Sequence, residues 1–442
     1  MLDIVTLDLN FSLSNENKVF VTKTLWERWD LQPNTLYRIA FGNRRFETLL
    51  QPIEGNKTEM LLSTKSVIDL LIPFPKQVQA KICGKEIKVG PLIALFTQAK
   101  NKTAMKMFNK LVSSPENTSN YTCLFTINDV NWNSNEIVAT FRGKNHYYKQ
   151  KIPIPDVIYN RVLGRKNEAS KKIQKAYINF ETHKAKIFNP CFFDKMTIHQ
   201  ILIENNRAAQ YLPKTFFTPT YSNIAYLIQQ YQTAYLKPKN GLAGRGIYSI
   251  TKHGDQYILN NENSVSMHKS LVEVLEEIKY PQKSKRYLAQ QGIRLIEYKG
   301  RKLDFRININ KNIENQWVIT GIAGKVAGKK SVTTHVRLGG KIYSCDEILA
   351  ATFDEKAPII KEAIEKAVIN IASAIEDSLN GNLGELGIDI GVDKEGKVWM
   401  FEANSKPGRS IFKHPSLKAD NQHSINLLYE YAYYLSGFRF KR

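Results

Sequence analysis

The sequence predicts an α+β protein built from more than one domain, and three observations carry that expectation. The chain has 442 residues, beyond the size at which a single hydrophobic core usually suffices. Its first third breaks into short runs punctuated by turn residues, the pattern of strands. Its last third holds one long 3.6-period stripe, Ile360, Ala363, Ile364, Ala367, Val368, Ile371, Ile375 and Leu379, which leads directly into two strand-like runs joined by a tight turn.

In chain order, strands are expected at 4–9, 19–22, 36–41 and 81–89, the last alternating around Gly84, with turns at 42–45 and 54–56. Residues 64–71 read as a short helix stopped by Pro73 and Pro75. The run from Val89 through Gly90 and Pro91 to Phe96 reads as one strand entering a small α/β unit. Nothing in the first 150 residues carries recognisable chemistry, so a scaffold or partner-binding role is expected there. Pro153 and Pro155 mark a boundary. The stretch 161–186 is basic, either one wall of a binding mouth or a solvated helix, and the solvated helix is the simpler account.

Residues 194–202 read as the beginning of a helix, with Ile198, Ile201 and Leu202 apolar, and residues 211–215 end that unit. A strand at 233–239 then enters Asn240-Gly241-Leu242-Ala243-Gly244-Arg245-Gly246, and a second strand follows at 247–251. This loop lacks the Gly-Lys-Ser/Thr ending of a P-loop and joins two strands, so it is not a dinucleotide fingerprint either. A plain hairpin loop accounts for it. That is the simpler account, although its glycines would also let backbone N–H groups close over phosphates, and Lys237 would aim a cation at an anion beneath.

Residues 286–293 read as a strand leading to a connector that holds Gln290 and Gln291. Residues 303–309 alternate strictly, which puts Asp304, Arg306 and Asn308 on one face and Leu303, Phe305, Ile307 and Ile309 on the other. That polar face must meet solvent or a ligand. A strand at 317–326 ends among Lys325, Lys329 and Lys330, and the polar arm at 332–340 carries His335 and Arg337, of which the permanently charged Arg337 is the better anion partner. The long helix is expected at 355–380, with Asp354 as its cap and Gly381 as its stop.

After the helix come Gly387-Ile388-Asp389 and then Glu402-Ala403-Asn404-Ser405-Lys406-Pro407-Gly408. If the turn spans 393–396, Val392 pairs with Lys397, and Asp389 lies opposite Met400 and diagonal to Glu402 on one face. A slip of one residue would separate them. Two carboxylates and the amide oxygen of Asn404 make a hard-oxygen site suited to Mg²⁺, above all Mg²⁺ carried by nucleotide phosphates. A surface hairpin with incidental acids is the plain alternative.

Composition narrows the partners. With 63 Lys+Arg against 41 Asp+Glu the formal net charge is +22, which favours nucleotide phosphates, nucleic acid, acidic polymers or an anionic surface. A generally basic surface is an equal account. No stacking-aromatic signature and no helix-turn-helix pattern is visible, so nucleic acid ranks low. Hydrophobic content of 43% with 21 Phe and 21 Tyr argues against disorder. The four cysteines are too far apart for zinc or a redox dithiol, the usage of a reduced intracellular protein. The N-terminus lacks a basic region followed by an apolar one and no apolar run nears the ~18 residues of a bilayer span, so a cytoplasmic chain without a membrane span is expected.

Taken in order, the Asp-Lys before a helix, the Lys on a strand entering a glycine loop, the Gln-containing connector, Asp-x-Arg on a strand, the long helix, and Gly-x-Asp then Glu-x-Asn ending in Pro-Gly resemble the ATP-grasp superfamily over about residues 155–430. Leu236-Lys237-Pro238 with its loop, Leu303-Asp304-Phe305-Arg306 and the run from Ile154 to Arg161 look like the endospore coat-associated YheC/YheD family within it. The resemblance implies an ATP-grasp domain at 191–430, two α/β subdomains gripping ATP, preceded by a β-rich domain at 1–88 and a small α/β region at 89–190 and followed by a basic tail at 431–442.

It implies ATP and Mg²⁺ as cofactors. Lys195 and Lys237 match lysines that contact the phosphates and the adenine side, Gly241, Gly244 and Gly246 match the phosphate-covering loop, and Gln290 and Gln291 fall in the adenine and ribose connector, where many relatives carry a Glu. Arg306 matches the arginine beside the transferring phosphate, with Arg337 taken as a second catalytic cation, and Asp389, Glu402 and Asn404 match the Mg²⁺ ligands. The implied reaction is phosphoryl transfer from ATP to a carboxylate, giving an acyl phosphate open to an amine or similar nucleophile. Lys325, Lys329, Lys330, Arg337, Lys406 and Arg409 would suit an anionic acceptor. Spore-coat components are the partners the family implies, and a spore-associated structural or binding protein that holds nucleotide without turnover is the alternative.

Overall fold

The computed structural model describes residues 3–14, 16–114, 119–239, 246–261, 264–280, 284–328 and 340–438. Its strands gather into four sheets that follow the chain in order, and with the helices between them the class is α+β, as expected.

The first sheet is a barrel. Strands β1 (Asp3–Phe11), β2 (Lys18–Thr22), β3 (Leu36–Phe41), β4 (Arg44–Ile53), β5 (Glu59–Leu62), β6 (Lys76–Cys83) and β7 (Glu86–Gly90) close in the order β1-β5-β2-β4-β3-β7-β6, with helices α1 (Lys23–Arg28) and α2 (Thr64–Leu70) in the connections. Alternation sends Val5, Leu7, Leu9, Ile39 and Phe41 into its filled interior, and closure removes exposed edges. Gly84, at φ +58°, makes the hairpin between β6 and β7.

The second sheet holds β8 (Leu92–Thr97), β9 (Tyr121–Thr126), β10 (Val130–Asn131), β11 (Glu136–Arg142), β12 (Tyr147–Pro153), β13 (Val157–Asn160) and β14 (Lys186–Phe188), with α3 (Lys102–Val112), α4 (Arg165–Glu168) and α5 (Lys171–Thr182). The single strand expected at 89–96 is in fact two: β7 ends at Gly90 and β8 starts at Leu92, because Pro91 has no N–H to carry a ladder through. In the basic stretch, Ile173, Ala176 and Phe180 of α5 face inward while Lys171, Lys172 and Lys175 are exposed, which is the solvated-helix arrangement.

The third sheet runs β15-β20-β16-β17-β18-β19, from β15 (Thr215–Phe216), β16 (Thr233–Pro238), β17 (Tyr248–His253), β18 (Gln256–Asn260), β19 (Val265–His268) and β20 (Tyr287–Gln291). Helix α6 (Lys195–Glu204) precedes it, and α7 (Tyr221–Tyr231) and α8 (Leu271–Glu277) bury Ile224, Leu227 and Leu275 against Leu236, Ile250 and Leu259 of its strands. Tyr235 and Lys237, on the opposite side of β16 from Leu236, are left for the cleft.

The fourth sheet carries the acidic hairpin. It runs β24-β23-β22-β25-β26, built from β22 (Arg301–Lys311), β23 (Trp317–Val326), β24 (Lys341–Ser344), β25 (Glu385–Val392) and β26 (Val398–Asn404), with β21 (Glu297–Tyr298) paired to β22. Helices α9 (Cys345–Phe353) and α10 (Ala357–Ser378) cover its apolar face, where Ile364, Val368, Ile371 and Ile375 meet Phe305, Ile307, Leu386 and Ile388. The helix starts later than expected and Asp354 does not cap it. Asp354, at φ +46°, closes α9 and opens a 3₁₀ turn, Lys356 takes the cap position without a side-chain bond, and a proline in the first turn sets the start of α10. Helix α11 (Lys418–Ser436) continues through residues 431–436, and Ser424 donates from it to Asn310 of β22 at 2.7 Å. No helix among the described residues is long and apolar enough to cross a membrane.

Candidate functional site

The acidic hairpin is the pair β25–β26, and its register departs from the expected one. Val392 pairs with Val398, not Lys397, and Asp389 stands directly opposite Glu402, not opposite Met400. Two local features cause this. The Asp393 carboxylate accepts from the N–H groups of Glu395 at 3.1 Å and Lys397 at 2.8 Å, which draws Lys397 into the turn. The ladder then slips between Asp389 and Ile390, leaving Phe401 as a bulged extra residue. The bulge turns both Phe401 and Glu402 to the cleft side: a Cβ on Gly391, which shares the face of Asp389, would lie 2.7 Å from the Phe401 ring, while Met400 and Ala403 remain in the core. Asp389 and Glu402 therefore share one face, and Asn404 pairs opposite Gly387.

Strand β22 lies beside β25, so that Arg306 is opposite Asp389 and Asn308 opposite Gly387. Its alternation is as expected, with Leu303, Phe305, Ile307 and Ile309 in the core and Asp304, Arg306 and Asn308 on the other face. There the Arg306 guanidinium meets Asp389 Oδ2 at 3.0 Å. Lys325, reaching over from β23, sits 2.9 Å from Asp389 Oδ1 and 3.2 Å from Asp304 Oδ2. Burial by itself would lower the Lys325 pKa, but Asp389 and Asp304 together raise it above the ordinary lysine value. Arg306 Nη1 is buried and makes no hydrogen bond among the described residues. A donor in that condition is suited to an incoming anion.

The cleft between the third and fourth sheets is lined by Lys195, Lys237, Gln290, Phe401 and Glu402 among others. Asp194 caps α6, accepting from Met196 and Thr197 N–H, and so sets Lys195 at the helix start, 3.8 Å from Glu402. Lys237 Nζ donates to Gln290 Oε1 at 2.5 Å and lies 5.4 Å from the centre of the Phe401 ring. Burial, reinforced by neighbouring Lys195, lowers the Lys237 pKa to about 8. Gln290 is held in turn by donating to Thr215 Oγ1 at 3.0 Å. Gln291 points elsewhere, its side-chain oxygen accepting from the Lys214 N–H at 3.0 Å, because successive strand residues face opposite ways. His199, one turn along α6 from Lys195, lines the same cleft, and burial holds its pKa below the usual histidine value. Gly246, at φ +73°, packs near Pro238. Gly241, Gly244 and Arg337, with Lys329 and Lys330, lie outside the described residues.

Below the site is a polar anchorage that sequence reading did not single out. The Asn189 side chain accepts from the N–H groups of Gly384 at 2.9 Å and Glu385 at 3.2 Å, and donates to the carbonyls of Glu385 at 2.7 Å and of Ser405. One amide thus joins the start of β25 to the end of β26. Lys406 and Arg409, considered for an anionic acceptor, are committed internally: Lys406 is buried against Glu168, and Arg409 donates to the Asn421 carbonyl at 3.1 Å. Among the described residues no three His, Cys, Asp or Glu side chains form a metal-holding group. Asp389 and Glu402 are paired across the hairpin, and Asn404 lies two residues further along the same strand as Glu402.

Residues 184–435 match the family described as YheC/D like ATP-grasp. The chain is 32% identical to the endospore coat-associated protein YheD of Bacillus subtilis (strain 168), over 96% of this chain and 94% of that one. It is 24% identical to the endospore coat-associated protein YheC of the same organism, over 59% of this chain and 72% of that one. Among solved structures, the C-terminal domain of K. lactis Pby1, an ATP-grasp enzyme interacting with the mRNA decapping enzyme Dcp2, superposes with a TM-score of 0.46 at 12% identity, covering 80% of this chain and 96% of that one.

Proposed function

This chain belongs to the YheC/D-like ATP-grasp family, and from that premise we propose that it is an ATP-dependent ligase activating a substrate carboxylate for attack by an amine or similar nucleophile. The observation that carries the reading is a cleft in which Lys195, Lys237 and Gln290 stand with Glu402, which pairs on the neighbouring strand with Asp389 and its partner Arg306. Anion-binding cations set beside hard oxygen donors are what a nucleotide with its metal requires.

In this reading Lys195 and Lys237 hold the phosphates, Gly246 with Gly241 and Gly244 closes over them, and Gln290 serves the adenine and ribose side, Gln291 being turned away onto the Lys214 N–H. Asp389, Glu402 and Asn404 would hold Mg²⁺, two carboxylates and an amide oxygen being the donor types that ion takes. Bound there, Mg²⁺ supplies neutralisation of phosphoryl charge. Arg306, whose Nη1 makes no hydrogen bond among the described residues, and Arg337 stabilise charge on the transferring group. We assign residues 191–430 this role and the barrel and second sheet, within 1–190, substrate or partner docking, with spore-coat components as the partners suggested by the name of the YheD relative.

Isothermal titration of Mg·ATP against the wild type and an Asp389→Asn, Glu402→Gln double variant tests the site. Binding should be seen in the first and lost in the second. No binding to the wild type, or equal binding to both, overturns the reading. One observation favours a second reading, nucleotide binding without turnover: the Asp389 carboxylate is already neutralised by Arg306 and Lys325. Phosphate release on a panel of acids with ATP separates the two.

A further inference from the structure

Lys325 and Asp389 come from strands that are not neighbours. In the ladders Lys325 is level with Asp304, and Asp389 is level with Arg306. The Lys325 side chain therefore leans diagonally over β22 to reach Asp389 Oδ1 at 2.9 Å while keeping Asp304 Oδ2 at 3.2 Å. All three side chains are mostly buried, at 13%, 11% and 16% exposure for Lys325, Asp389 and Asp304. With Arg306 on its second oxygen, Asp389 has a cation on each side.

From this geometry we infer that Lys325 is an exchangeable counter-ion of the metal site: it occupies Asp389 in the nucleotide-free protein and moves wholly onto Asp304 when a metal–nucleotide complex enters. The inference rests on the nucleotide reading above and adds an order to it. An ammonium and a divalent ion drawn to one carboxylate repel each other at close range in a partly buried site, where solvent screening is weak. A free divalent ion brings no charge to offset that repulsion. An ion bound to phosphates does, so the site takes metal as the nucleotide complex and refuses it alone. Asp304 makes the exchange feasible because it lets Lys325 leave Asp389 without becoming an unpaired buried charge.

An ordinary strand-joining salt bridge would give the same distances, so the test reads metal binding, not stability. Mn²⁺ serves as the probe, followed by its electron paramagnetic resonance signal without nucleotide. The wild type should bind no free Mn²⁺ at millimolar concentration, whereas Lys325→Met should gain a site that is lost again when Asp389→Asn is added. Lys325→Gln, which keeps a donor without the charge, is the second variant should the methionine fold poorly, and thermal melting checks both. In Asp304→Asn, where Lys325 has only Asp389 to hold, Mn²⁺ affinity in the presence of ATP should fall about tenfold or more, the usual effect of losing a supporting partner, with metal-free ATP affinity unchanged. Wild-type binding of free Mn²⁺ equal to that of the lysine variants, or lysine variants that gain no site, overturns the inference. ATP that binds no variant overturns the nucleotide reading instead, and the free-Mn²⁺ comparison still decides the role of Lys325.

Discussion

The Arg161 guanidinium donates to Glu385 Oε1 at 2.8 Å, and the Tyr159 hydroxyl donates to the same oxygen at 2.5 Å. Glu385 is the first residue of β25, and Tyr159 belongs to β13 with Arg161 just beyond it, so the contact fastens the second sheet to the strand that carries Asp389. Arg409 lies 3.8 Å from the other carboxylate oxygen. Replacing Glu385 with Gln keeps the shape but leaves two buried guanidinium groups without their countercharge. Stability should drop by about 3–5 kcal/mol, seen as a lower urea midpoint, and Arg161→Met added to Glu385→Leu should cost less than the sum of the single changes. A midpoint that does not move would show that the network is neutral.

Asn189 offers a sharper case, because its amide is saturated. Two backbone N–H groups and two carbonyls depend on it, and the residue is fully buried at φ +56°. Asn189→Ala strands these groups away from water at about 1–3 kcal/mol for each one left unmet. We expect loss of the cooperative unfolding transition of this region, and faster hydrogen exchange at Gly384 and Glu385 than elsewhere in β25. Unchanged exchange there would rule out the role assigned to the side chain.

At Gly387 the constraint is steric. A Cβ there would fall 2.6 Å from Pro407 Cβ and 2.7 Å from Arg306 Nη1. Gly387→Ala should therefore displace Arg306 or the loop at Pro407, at a cost of about 1–3 kcal/mol by overpacking, and weaken Mg·ATP binding more than it weakens the fold. Equal loss in both, measured by titration and by melting, would place the effect in packing alone.

How far the sequence led depended on the range of the interaction. Periodicity reads neighbours, and the stripe of α10 and the alternation of β22 are where it placed them. The hairpin brought its two acids together as expected but in another register, because an Asp393 side-chain bond lengthened the turn and Phe401 bulged, neither of which alternation encodes. Gln290 and Gln291 were grouped although alternation lets only one face the cleft, and the structure shows it is Gln290. Lys325 with Asp389, and Asn189 with Glu385, are pairings across 64 and 196 residues. Only the assembled sheets create them.

Lys237 makes the site sensitive to pH in a defined direction. Its pKa is lowered to about 8 from the ordinary 10.5, by burial first and by Lys195 second. Between about pH 8 and pH 10.5 the unfolded chain holds a proton that the native site has released, so this residue makes stability rise with pH through that window, and below it the full penalty of burying the ammonium is present. Nucleotide reverses the balance, since phosphates favour the charged form. Binding above about pH 8 must then take up a proton, and ATP affinity should weaken as pH rises toward about 9.5. Titration in two buffers of different ionisation enthalpy should reveal that uptake in the wild type and its absence in Lys237→Met, whose weaker binding should also be flat with pH. A wild-type profile as flat as that of the variant would mean that Lys237 does not meet the phosphates.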